Sequence, residues 1–327
     1  MDNLNDSPYL REPDSTLIAE AHQAIAPAPN PAIAVDAETP EANAQIAPRL
    51  APPRLAPDVP TLGNTVLFFL LAVGVTLSVG ILIVIIATLL APHRPTDFRV
   101  LAFDARLAIP AQAVEYLALL AATAALFRGI WQRPFWQAIH WNAPTMVKRW
   151  IPLLITGLAL GLLNGAASNL LPMPKEAPIL NDLMRSTAGA WLMFLFGTTL
   201  APLLEEIAFR GFLLPSLINF LSGRTRRKQL PESISAPLPR KQVSPFIVPV
   251  SILLASVPFA LLHSEQVSGA WAPVLLIGIV SVVLCIVRLW TRSLAASAFV
   301  HATYNFTLFA GMMIASDGFR HLDKLNN

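Results

Sequence analysis

Residues 188–221 read AGAWLMFLFGTTLAPLLEEIAFRGFLLPSLINFL. The stretch is apolar over the length of a membrane span, apart from two adjacent carboxylates and an arginine. Each ionised group near the centre of a bilayer costs roughly 2.5–3.5 kcal/mol on insertion scales. Glu205, Glu206 and Arg210 therefore need partners. On a helix, residues four apart lie about 40° from one another around the axis, so Glu206 and Arg210 share a face and can form an ion pair. Glu205 and Arg210 are five apart and diverge by about 140°. Glu205 is left to face a polar cavity, another helix or its own protonated form. A carboxylate so placed is a candidate general base; a clamp between helices is the other reading.

The rest of the chain has the same character. Of its 327 residues, 54% are hydrophobic and 13% charged, where soluble proteins carry about 25% charged residues; mean hydropathy is +0.57. Apolar runs of spanning length fall near 64–91, 107–127, 150–171, 188–218, 245–263, 271–288 and 293–315. The expected fold is an all-α, polytopic membrane helical bundle of about seven transmembrane helices. The fourth run exceeds the need of a bilayer and is expected to tilt, protrude or break near Pro202 or Pro215; a split there gives an eighth segment.

Residues 1–60 contain eleven prolines, thirteen alanines and no glycine. With no sustained periodicity, they read as a disordered Pro/Ala-rich tail, and no basic segment leads an apolar core as in a cleaved signal peptide. The domain plan is then the tail (1–60), N-terminal membrane helices (61–187), a catalytic core (188–315) and a short polar tail (316–327). Bases gather in the loops 128–149, 224–241 and 288–292. This favours a cytoplasmic N-terminus in the cell membrane, so the basic balance reads as topology and membrane-lipid contact, not as nucleic-acid binding. The single cysteine, Cys285, lies in an apolar run and reads as a small core residue.

Two more polar features interrupt the apolar runs. In SVPFALLHSEQ, His263 ends the fifth run with Phe259 one turn earlier on the same face. In SLAASAFVHATYNF, Ser297, His301 and Asn305 recur every four residues, a polar stripe on an apolar helix. Either alone reads equally as glue between helices. Together with Glu205 they are the parts for activating water against a carbonyl: an acid and an imidazole to take the proton, an imidazole and an amide to stabilise the oxyanion. Polar groups in lipid must find partners or water, so the three helices are expected to face one wet cavity. They can do so only if the fifth helix starts below the membrane surface or tilts strongly. Neither GxSxG nor HExxH occurs.

At these residues the chain resembles the CPBP family of CAAX proteases and bacteriocin-processing proteins, whose motifs are E-E-x-x-x-R, F-x-x-x-H and H-x-x-x-N on successive membrane helices. Here they read EEIAFR, FALLH and HATYN, in that order. The resemblance implies an intramembrane endopeptidase. Glu205 would activate water with help from His263, His301 and Asn305 would hold the oxyanion, and Glu206 and Arg210 would organise the site. It leaves metal dependence open: Glu205, His263 and His301 are also a three-ligand zinc set, though the metal-free glutamate mechanism is preferred. The expected partner is a membrane-associated peptide or protein, CAAX-like or small. The competing readings are a catalytically idle membrane scaffold or immunity protein and an ion-coupled transporter in which Glu115, Glu205 and Arg210 form a relay. Glu115 by itself reads as a structural pairing with a neighbouring helix and His140, among tryptophans, as an interfacial anchor; His93 and His321 carry little signal.

Overall fold

The computed structural model describes residues 60–90, 105–174, 182–223 and 244–325. The expected tail (all but Pro60), His93 and the basic loop 224–241 lie outside them. Nine α-helices of seven residues or more follow in order: α1 Leu62–Leu90, α2 Ala105–Trp131, α3 Trp150–Ser168, α4 Thr187–Thr198, α5 Leu200–Glu206, α6 Leu214–Leu221, α7 Ile247–Leu262, α8 Trp271–Thr291 and α9 Leu294–Ala315. No strand occurs among the described residues. The molecule is an all-α helical bundle and a multi-pass membrane protein, and six of its stretches are long and apolar enough to cross a bilayer. The fifth run gives a helix shorter than a span. It forms α7, 16 residues long, or about 24 Å against a hydrocarbon core of about 30 Å.

The fourth run shows what its prolines do. Proline clashes with the carbonyl four residues back and donates no hydrogen bond. Pro202 is preceded by a break at Thr199, whose φ and ψ are −124° and −79°. Threonine hydroxyls back-bond to carbonyls just ahead of the break: Thr198 Oγ1 donates to Phe194 O at 2.7 Å and Thr199 Oγ1 to Leu195 O at 2.6 Å. Ahead of Pro215 the chain widens into a π-helix, Ile207–Leu213, before α6 resumes. The run nevertheless stays one candidate span, Thr187–Leu221, so the break adds no eighth crossing.

Two packed layers hold this run. Phe212, in the π-helical turn, stacks on Phe68 of α1 at 4.7 Å between ring centroids and meets Phe127 and Trp131 of α2 at 4.8 and 5.6 Å. On the other side α9 packs against α3 through bare backbone. A Cβ on Gly157 would stand 2.6 Å from Thr303 Cβ, and one on Gly161 2.6 Å from Thr307 Cβ. The four-residue spacing of these glycines lets two membrane helices approach closely.

The start of α9 sits in a socket made by residues 139–142. Leu294 N–H donates to His140 O at 3.0 Å, Ser293 Oγ donates to Asn142 O at 2.7 Å, and Ser293 Oγ accepts from Ala296 N at 3.2 Å as the helix cap. His140, read as an interfacial anchor, thus serves through its carbonyl. The segment expected as a polar tail carries a buried residue, Phe319, which packs with Met184 and Ala190. Cys285 is buried as expected. Glu115 accepts from Thr76 Oγ1 of α1 at 2.5 Å, the pairing with a neighbouring helix that its position suggested.

Candidate active site

The acids of the fourth run part company at the junction of α5 and the π-helix. Glu206 turns inward and is fully buried, as is Arg210, and their Oε1 and Nη1 atoms are 3.0 Å apart. This is the i, i+4 ion pair the spacing predicts. Arg210 continues across to α8, where Nη2 donates to Ser281 O at 3.0 Å and to Ser281 Oγ at 2.7 Å. Its guanidinium carbon lies 4.5 Å from the centroid of Phe259, a cation–π contact at a fully buried side chain. The second oxygen of Glu206 accepts from Ser297 Oγ.

Glu206 also holds a histidine. His301 Nδ1 is 3.0 Å from Glu206 Oε1; a carboxylate only accepts, so Nδ1 carries the hydrogen and Nε2 is the atom turned toward Glu205. His263 is oriented likewise, because its Nδ1 lies 2.8 Å from Phe259 O and a carbonyl also only accepts. Its Nε2 too faces Glu205. Glu205 Oε2 stands 3.6 Å from His301 Nε2 and 3.8 Å from His263 Nε2. Its side chain is 23% exposed, where Glu206 is sealed. The separations exceed a direct hydrogen bond.

The space beside Glu205 is a cavity of about 410 Å³. His263, His301, Asn305, Tyr116 and Gln112 bring polar groups to its wall, and most of the remaining wall is apolar. Glu205, His263 and His301 thus meet, from three separate runs, around one hollow. His263, just past the end of α7, stands beside Glu205. Asn305 lines the same cavity, with one hydrogen of its amide committed: Nδ2 donates to Gly197 O at 2.7 Å. Gly197 lies just before the break at Thr199, so the amide braces the interrupted helix as well.

A zinc ion would bind nitrogen and oxygen at about 2.0–2.2 Å, which sets ligand atoms of a tetrahedral shell about 3.3 Å apart. Glu205 Oε2 lies farther than that from both imidazoles, and no set of three or more His, Cys, Asp and Glu side chains among the described residues could hold a metal ion. As placed, the three side chains do not close on zinc.

A partly wet carboxylate and two oriented imidazoles inside a membrane bundle form a site that can activate water. A family model described as Type II CAAX prenyl endopeptidase Rce1-like matches residues 187–307, and over this segment the chain is similar to that family of peptidases. No curated protein and no solved structure matches the chain. The matched segment contains all seven motif residues. Outside it, the sequence reading passed over Tyr116, which lines the cavity from α2 with no motif to mark it. It also passed over Gly157 and Gly161, whose spacing was the available signal.

Proposed function

We propose that the protein is an intramembrane endopeptidase that hydrolyses a peptide bond of a membrane-associated substrate, CAAX-like or a small peptide, with water activated by Glu205. The observation that carries this reading is the placement of Glu205 Oε2 within 4 Å of two imidazole nitrogens on the wall of a cavity of about 410 Å³. In this reading Glu205, helped by His263, takes a proton from water as its oxygen bonds to the scissile carbonyl carbon. His301, in its imidazolium form, presents Nε2–H to the developing oxyanion, and the free N–H of Asn305 is a second donor. The carbon–nitrogen bond then breaks, and the proton held by Glu205 passes to the leaving amine. No step is routed through a metal. Glu206 and Arg210 hold His301 at the required angle from beneath.

The test is cleavage of a quenched fluorescent peptide ending in a prenylated Cys-aliphatic-aliphatic-X sequence by the purified protein, with a peptide library alongside. Glu205→Ala and His301→Ala are expected to insert normally into membranes and to lose about 10²–10⁴-fold in rate. Full activity in both variants would overturn the reading. A strong chelator is expected to leave the wild-type rate unchanged; loss of activity that returns with added zinc would replace the metal-free step. The cell membrane and a cytoplasmic N-terminus remain the location that the distribution of bases supports.

A further inference from the structure

Oxyanion stabilisation needs donors aimed at the carbonyl oxygen as charge develops, and in this cavity they are scarce. His301 offers one nitrogen. Asn305 has already given one of its two amide hydrogens to Gly197 O. A further hydroxyl is present. Tyr116 lies one helical turn after Gln112 on α2, and both line the cavity, as residues four apart on one face should. Its neighbour Glu115 points about 100° away and is engaged with Thr76 of α1. The two faces of α2 are thus divided, the acid to α1 and the phenol to the cavity. The Tyr116 ring is held against Phe196, 5.3 Å between centroids, next to the Gly197 that braces Asn305. Tyr116 is half-buried, with its ring on the cavity wall.

We infer that Tyr116 is a catalytic residue, its hydroxyl donating a hydrogen bond to the carbonyl oxygen of the scissile bond as the tetrahedral intermediate forms. This inference rests on the peptidase reading above. The phenol keeps its proton throughout: water supplies the new oxygen, Glu205 carries the proton, and Tyr116 only stabilises the negative oxygen. Phe196 fixes the ring, so the donor is set in place before substrate enters, as a preorganised site requires.

The experiment compares wild type, Tyr116→Phe and Glu205→Gln as full-length protein in nanodiscs, with the prenylated fluorescent peptide as probe. Phenylalanine keeps the contact with Phe196 and removes only the hydroxyl. Tyr116→Phe is expected to lower kcat by about 10²-fold with KM and thermal midpoint unchanged, as loss of one oxyanion donor does. A kcat within about threefold of wild type, beside an inactive Glu205→Gln, would overturn the role of Tyr116 and leave the peptidase reading standing. A fall in kcat with a matching fall in thermal midpoint would assign Tyr116 to packing and overturn the inference as well. An active Glu205→Gln would instead remove the peptidase reading, and the inference with it.

Discussion

Glu205 and Glu206 are adjacent in the chain and opposite in circumstance. Glu206 is sealed from solvent with Arg210, Ser297 and His301 around it. Removing one member of a buried pair leaves the other charge uncompensated and costs about 3–5 kcal/mol. Glu206→Gln is therefore expected to destabilise the folded protein by that order, read as a lower midpoint in detergent denaturation, with activity falling because His301 loses its anchor. Glu205 makes no contact shorter than 3.6 Å to either imidazole and borders the cavity. Glu205→Gln is expected to leave the midpoint where it was while abolishing cleavage. An equal loss of stability in the two variants would show that Glu205 is a strut. The sequence paired Glu206 with Arg210 as the structure does, because i, i+4 spacing is a property of one helix. It gave no such purchase on Tyr116, whose function depends on how α2 faces α4.

Among the elements, the interrupted fourth run and the α3–α9 contact set the site's precision. A π-helical turn changes which side chains share a face, and such turns recur at functional sites. Here it begins directly after Glu206, so the ion pair that straddles the junction ties the two windings together. The position of Pro215 signalled a disturbance in the ladder, but a proline admits a kink, a break or a widened turn, and neighbouring packing such as the ring cluster around Phe212 decides among them. The fifth run, read at 245–263, forms a helix from Ile247 to Leu262; apolar composition alone does not mark where such a helix starts. The glycines were legible and went unread. Gly157→Val is expected to force α9 away from α3, since Thr303 Cβ and Val300 O would lie 2.6 and 2.9 Å from the new Cβ. Overpacking of this kind costs about 1–3 kcal/mol. Because α9 carries His301 and Asn305, cleavage is expected to fall more steeply than stability; an unchanged rate would mean that the site tolerates movement of α9.

At the scale of the whole molecule the cavity has a direction. Its lining runs from Glu205 and His301 to Leu183, just before α4, and Met312, in the last turns of α9. That end of the bundle also holds the start of α2 and the end of α3, whereas the 139–142 socket marks the opposite end. The bases divide between the same two ends. Arg128, Arg133, Lys148, Arg149, Arg288 and Arg292 lie at the socket end, and Arg106, Arg185 and Arg320 at the cavity end. If the more basic end faces the cytoplasm, substrate enters from the opposite face. Cys285 is buried and so gives little background in thiol labelling. A cysteine placed at exposed Thr187 or Arg320 is then expected to react with a membrane-impermeant maleimide in intact cells, and one at exposed Val147 only after the membrane is opened. The reverse pattern would turn the bundle over: the cavity would open to the cytoplasm, and the charge bias in the loops would be outweighed by whatever fixes the first helix.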